Sequence, residues 1–130
     1  FIHKDNEVLK KIENLIHPLL QKSKKIFIKE NHLKPLVVFD IPLLFEKNQQ
    51  KNFHSTLLVT ASEETQRERA LSRGKLSKKD FELIKKKQLN EENKISKATF
   101  VFNTDKPIEE TELEVKILYR KILNKEIERK

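Results

Sequence analysis

Arg69 and Arg73 stand four residues apart, the spacing that places two guanidinium groups on one face of a helix. A guanidinium fork grips two phosphate oxygens at once, and its charge stabilises a phosphoryl group in transit. Gly74 follows directly and lets the chain turn, so these arginines would sit on a hinged segment. Arg67 falls off their face and reads as surface. Upstream, an apolar run from Leu36 to Phe39 ends at Asp40, and a second apolar run after Pro42 closes at Glu46. Four residues with no polar side chain predict a strand covered on both faces, as in a parallel sheet. Asp40 would then lie at the carboxyl end of that strand, the edge along which open α/β sheets bind ligands. A carboxylate there can hold a metal or orient oxygens in phosphoryl transfer. The plainer alternatives are a strand-end residue capping a turn for Asp40, orienting a loop or pairing with a basic residue for Glu46, and a solvated basic helix paired with Glu64 and Glu68 for the arginines.

These groups need elements to carry them. Val8, Leu9, Ile12, Leu15, Ile16, Leu19 and Leu20 recur at helical spacing, with Asp5 as N-cap. Pro18 is expected to break or kink this helix and to start a second one running to about Asn31. A strand Leu36–Ile41 follows, then a short helix or loop over Lys47–Asn52, and a second strand Thr56–Thr60. Ser62 predicts a helix N-terminus with Glu63 and Glu64 in its first turn, and Gly74 its stop. Ser77 and Asp80 have the form of a capping box before Phe81, Ile84 and Leu89. Asn90 predicts a short helix to about Lys97. Thr99–Phe102 reads as a third strand. Pro107 opens a terminal helix with Leu113, Ile117, Leu118 and Ile122 inward, and Lys125–Lys130 is expected to fray. Strands alternating with helices make this an α/β chain with a doubly wound parallel sheet.

The 130 residues suffice for one small domain. Charged residues make up 37% and hydrophobic ones 36%, so a modest core under a highly charged surface is expected. No apolar run approaches the ~20 residues of a membrane helix, and no membrane partner is expected. The absence of cysteine removes disulfides and thiolate metal sites and fits a reducing, cytoplasmic setting. His3, His32 and His54 lack ligand spacing, so no protein-borne metal site is expected. The net charge of +8 points to an anionic partner. Between Arg67 and Lys97 eleven Lys or Arg face five Asp or Glu, and that difference of +6 supplies most of it. Lys85, Lys86 and Lys87 within it read as a solvated face.

Asp40-Ile-Pro-Leu-Leu-Phe-Glu46 resembles the signature of the dephospho-coenzyme A kinases. Thr60-Ala-Ser-Glu-Glu-Thr-Gln-Arg-Glu-Arg69 and Leu15-Ile-His-Pro-Leu19 match two further blocks in the family's order. The resemblance implies a P-loop kinase-like fold, with three of the family's five strands present. It implies residues 1–34 as an acceptor-side helical segment, 35–66 and 98–130 as core, and 67–97 as a lid. It also implies ATP and dephospho-coenzyme A as small-molecule substrates, magnesium as the cofactor ion, and a monomer. Residue by residue, Asp40 and Arg73 are implied as catalytic; Arg69, Gln88, Lys97 and Asn103 as nucleotide-binding; His17, Pro42, Leu43, Leu44 and Glu46 as substrate-binding. Asn103-Thr104-Asp105 departs from the Asp-Asn pair common in that loop. His17 has a structural alternative, capping the helix that Pro18 would start.

A P-loop kinase also needs Gly-x-x-x-x-Gly-Lys-Ser/Thr, whose backbone N–H groups close around the phosphates. Gly74 is the sole glycine here. The chain is therefore expected to be the carboxyl-terminal part of a kinase, inactive by itself, weakly stable or prone to aggregate. A small basic nucleic-acid-binding protein is the alternative reading. Against it, the lysines spread over every helix, with no interleaved aromatic residues as a stacking platform. A third reading is an inactive fragment that only binds acceptor.

Overall fold

The computed structural model describes residues 6–74 and 76–124. The expected Asp5 cap and the charged Lys125–Lys130 tail lie outside them. By its contacts the chain divides into two units, Phe1–Phe39 and Asp40–Lys130.

The first unit is built on helix α1, Asn6–Glu30. The expected break at Pro18 does not occur: the proline lies inside one continuous 25-residue helix. Proline forfeits one i→i−4 bond and crowds the preceding turn, at about 3 kcal/mol. The remaining turns on either side keep their own bonds, and these carry the helix across the gap. At its end Asn31 donates from both its backbone N–H and its Nδ2 to the Phe27 carbonyl, at 3.1 and 2.9 Å. Phe39 then returns to Phe27, edge to face at 5.6 Å, with the Lys24 ammonium 5.5 Å from the Phe39 ring centre. Leu15, Leu19 and Leu20 remain more than 60% exposed, so the apolar stripe of α1 is left largely open.

The strand expected over Leu36–Ile41 is also absent. These residues are in neither helix nor strand, and Val38 is 72% exposed. A strand is defined by ladder partners, and no other described segment pairs with this one. Among the described residues two strands are thus present, not three.

In the second unit residues 42–48 form consecutive turns, closed by Lys47 N–H to the Leu43 carbonyl at 3.2 Å and Gln49 N–H to the Leu44 carbonyl at 3.0 Å. A single 3₁₀ turn, Gln50–Asn52, follows. Strands β1 (Leu57–Thr60) and β2 (Phe100–Asn103) then pair in parallel, Leu57 opposite Phe100 and Thr60 opposite Asn103. Just before them Thr56 and Thr99 exchange bonds, each hydroxyl accepting the other's backbone N–H at 3.1 Å. Between the strands run α2 (Glu63–Ser72), α3 (Lys78–Lys87) and α4 (Glu91–Ile95), and α5 (Ile108–Leu123) ends the fold. This is a small α/β fold around a two-stranded parallel sheet.

The local signals are realised closely. Ser62 Oγ accepts the Thr65 N–H at 3.3 Å, Ser77 and Asp80 form the full capping box, and Asn90 Oδ1 accepts the Asn93 N–H at 2.9 Å. Gly74 adopts φ +67°, a left-handed conformation in which its N–H reaches the Leu71 carbonyl at 2.9 Å and ends α2. Pro107 is the N-cap of α5 rather than its first helical residue.

The core is thin. Phe45, Phe81, Ala61 and Ala98 are its buried apolar residues, joined by Thr56 and Thr60. On α5, Leu118 and Ile122 are half-buried as expected, but Leu113 and Ile117 are 58% and 45% exposed. A 16-residue helix is about 24 Å long and a four-residue strand about 13 Å. One such strand cannot cover the whole apolar face of α5.

Candidate functional site

The carboxyl ends of the two strands open into a cavity of about 260 Å³. Its floor is β1 from Leu58 to Thr60, with Ala61. Gln66 and Arg69 of α2 and Thr104 after β2 form one side. Gln88, Glu91 and Lys94, from the corner between α3 and α4, form the other. Two cations, two carboxamides and two hydroxyls thus line the cavity at the strand ends, beside one carboxylate. A shallower hollow of about 210 Å³ is lined by Glu7, Lys10, Lys11 and Asn14. All four are on α1, so it is a surface groove of one helix.

Arg69 is held in place. Its Nη1 and Nη2 donate to Thr104 Oγ1 and to the Thr104 carbonyl at 2.9 and 2.8 Å. Thr104 Oγ1 in turn donates to the Thr60 carbonyl at 2.9 Å, the same oxygen that accepts the Thr104 N–H. The loop after β2 is fixed at its next residue too. Asp105 accepts the Ser62 N–H at 2.5 Å and the Ser62 hydroxyl at 3.2 Å, while Asn103 Oδ1 accepts the Asp105 N–H at 2.6 Å. A hydrogen bond from Thr65 is the main reason the Asp105 carboxyl lies below the ordinary aspartate range; burial opposes it, and smaller contributions from bonds to Ser62 and Asn103 add to the lowering.

The α2–α3 hairpin is braced by charge around Gly74. Arg67 pairs with Glu63 at 3.2 Å and Glu82 at 3.1 Å, and stands 5.9 Å over the Phe81 ring. Lys85 also pairs with Glu63, and its hydrogen bond and charge hold that carboxyl below the usual glutamate range.

Of the residues singled out from sequence, the cavity gathers Arg69 and Gln88. Asn103 stands one residue away and shapes the loop that carries Thr104. Arg73 is the C-cap of α2, exposed, and outside the lining. Lys97 is exposed and also outside it. Asp40 is exposed, and without a strand behind it nothing delivers it to the strand-end edge. Pro42 and Leu43 are exposed and Leu44 half-buried; the inward residue of that block is Phe45, 4% exposed. Glu46 points inward and binds protein, not solvent: its Oε1 accepts the Leu89 N–H at 3.3 Å and lies 3.5 Å from Lys94 Nζ. His17 is an exposed residue of α1, in the first unit. Gln66, Glu91 and Lys94 were not singled out, and Thr104 only as part of the Asn103–Asp105 loop. Thr60 and Thr104 flag themselves only as hydroxyls at strand ends, and Lys94 is one lysine among many.

Comparison with known proteins adds the family. Residues 1–110 match the family model described as dephospho-CoA kinase. Among curated proteins, the chain is similar to the dephospho-CoA kinase of Bartonella quintana (strain Toulouse), 41% identical over 113 residues, covering 85% of this chain and 58% of that protein. The dephospho-CoA kinase of Bartonella henselae is 38% identical over 121 residues, 92% of this chain and 62% of that protein. That of Novosphingobium aromaticivorans is 36% identical over 121 residues, 93% and 60%. The chain spans about three-fifths of the length of these relatives. A model matching most of the sequence, from the first helix through β2 to the start of α5, carries the conclusion: the chain belongs to the dephospho-CoA kinase family.

Proposed function

We propose that this chain supplies the nucleotide-edge and lid portions of an ATP-dependent kinase that phosphorylates the ribose 3′-hydroxyl of dephospho-coenzyme A. The observation that carries this reading is the cavity at the strand ends. Arg69, Lys94, Gln66 and Gln88 offer cationic and carboxamide donors at the edge where α/β sheets take nucleotides. One turn beyond Arg69, Arg73 is exposed at the turn that Gly74 makes possible. A guanidinium there can swing onto a phosphate when the hairpin moves, and charge on the transferring group is what such a residue stabilises.

The share of each residue follows from its place. Arg69, Gln88 and the Asn103–Asp105 loop bind and orient the nucleotide, with Lys97 at the outer end of the lid. Arg73 is the catalytic cation. Asp40, Pro42, Leu43, Leu44 and His17 enter through the sequence blocks that resemble the family, on the acceptor side. Magnesium accompanies the phosphates of ATP. Among the described residues no group of three or more His, Cys, Asp or Glu could hold an ion. Transfer also requires a phosphate cradle, and these 130 residues hold one glycine. The part played by this chain is therefore to hold and orient.

Calorimetric titration of the 130-residue chain with ATP and with dephospho-coenzyme A tests this. Saturable binding of ATP supports it; binding of dephospho-coenzyme A alone would favour the acceptor-binding reading instead. Tight, steeply salt-dependent binding of RNA or DNA, with no affinity for ATP or dephospho-coenzyme A, would replace it with the nucleic-acid reading.

A further inference from the structure

The Glu46 carboxylate is buried, and its bonds run to an element 43 residues away. Its side chain is 13% exposed and that of Lys94 19%. Oε1 serves both the Leu89 N–H and the Lys94 ammonium, while Oε2 is buried with no hydrogen-bond partner. Stability alone does not favour this arrangement. A buried ion pair repays its desolvation only when its remaining lone pairs are satisfied, and an apolar pair of similar volume is often as stable or more so.

Position explains it better. Leu89 is the middle of a three-residue corner. Gln88 before it leaves α3 with φ −85° and ψ 154°, and Asn90 after it enters α4 with φ −61° and ψ 155°. The extended backbone at this corner takes the Leu89 N–H away from any helical acceptor, and Glu46 receives it. The same oxygen anchors Lys94, one turn into α4. Gln88, Glu91 and Lys94 are the three residues by which this corner walls the cavity. Glu46 itself does not line the cavity.

We infer that Glu46 is a positioning residue for the nucleotide cavity: by gripping Leu89 and Lys94 it sets one wall against the strand ends and Arg69. This rests on the nucleotide reading given above. It carries the loop-orienting, cation-pairing reading of Glu46 further, to control of the wall that carries Gln88 and Lys94.

The test compares Lys94→Met with the double variants E46Q/K94M and E46L/K94M in the 130-residue chain. All three remove the ammonium, so neither double variant leaves a buried charge unpaired. Gln keeps an acceptor for Leu89 and Leu does not. Three quantities are read: ATP affinity, amide exchange at Leu89 without nucleotide, and the urea midpoint. In E46L/K94M, Leu89 exchange should quicken at least tenfold and ATP affinity should fall about tenfold relative to Lys94→Met, with the midpoint held or raised. E46Q/K94M should stay within about twofold of Lys94→Met in both. Equal ATP affinity in Lys94→Met and E46L/K94M overturns the inference, whether or not Leu89 exchange changes. Absence of ATP binding by the unmodified chain overturns the nucleotide reading itself, and with it the purpose given to Glu46. That failure is told apart because the Leu89 exchange is measured without nucleotide.

Discussion

Arg69 grips Thr104 with both terminal nitrogens, at 2.9 and 2.8 Å, and through Thr104 reaches the carbonyl that ends β1. A residue expected to meet phosphate is thus already engaged with the loop after the second strand. Arg69→Ala should cost about 1 kcal/mol of stability, a charge-assisted bond discounted for an exposed guanidinium. Thr104→Val should cost a similar amount, and the double variant less than the sum, because both remove one interaction. Urea titrations of the three chains measure the coupling. Strict additivity would show that the pair does not hold in solution.

Arg73 contrasts with it. It is exposed at the end of α2, so Arg73→Ala should leave the urea midpoint within about 0.5 kcal/mol of the unmodified chain. If Arg73 acts as proposed, the same change in a full-length kinase carrying this segment should cut turnover by about a hundredfold or more, since the cation proposed for the transferring group would be lost. Turnover unchanged by Arg73→Ala would remove it from the catalytic set.

Asp105 predicts an acid limb. Bonds from Thr65, Ser62 and Asn103 lower its folded pKa below the unfolded value. A carboxyl lowered on folding contributes stability above its unfolded value, near pH ~3.9, and loses it as pH falls through the lower folded value. Asp105→Asn should therefore flatten the decline of stability below about pH 4 and lower stability at neutral pH. Glu63, lowered mainly by Lys85, adds a slope of the same sign. Urea midpoints measured from pH 7 to pH 2 decide it. A decline equally steep in Asp105→Asn would refute the assignment.

Pro18 gives a prediction about the helix itself. Its ring removes one backbone bond from the middle of α1. Pro18→Ala should raise helicity by circular dichroism and stabilise α1 by up to about 3 kcal/mol. A loss of helical signal would mean that the proline ends one helix and starts another after all.

The exposed apolar side chains predict fragility. Leu15, Leu19, Leu20, Val59 and Leu113 are each more than half exposed, and among the described residues no side chain is wholly buried. The isolated chain should bind a hydrophobic dye, melt broadly and associate with rising concentration. Phe81→Ala, which empties part of so thin a core, should abolish cooperative folding, at about 3 kcal/mol or more. A sharp melt near that of an ordinary mesophilic domain, without dye binding, would contradict this.

What was legible in the sequence is what local chemistry governs. Ser62, Ser77 with Asp80, and Asn90 start helices because a side-chain oxygen reaches an N–H two or three residues on, whatever the rest of the fold does. Gly74 turns the chain because it alone has no Cβ to oppose φ +67°. The family blocks, and with them Arg69 and Gln88 at one cavity, were likewise readable along the chain. The tertiary structure decided everything whose partner is remote. Residues 36–41 have the composition of a buried strand, but a strand exists only where another segment supplies the ladder, and among the described residues none does. Pro18 has the chemistry of a helix breaker, but the turns on either side outweigh one missing bond. Glu46 finds Leu89 and Lys94, and Arg69 finds Thr104, across sequence separations of 35 to 48 residues that carry no local pattern. Hydrogen bonds between distant residues follow from packing, and packing is a property of the whole chain.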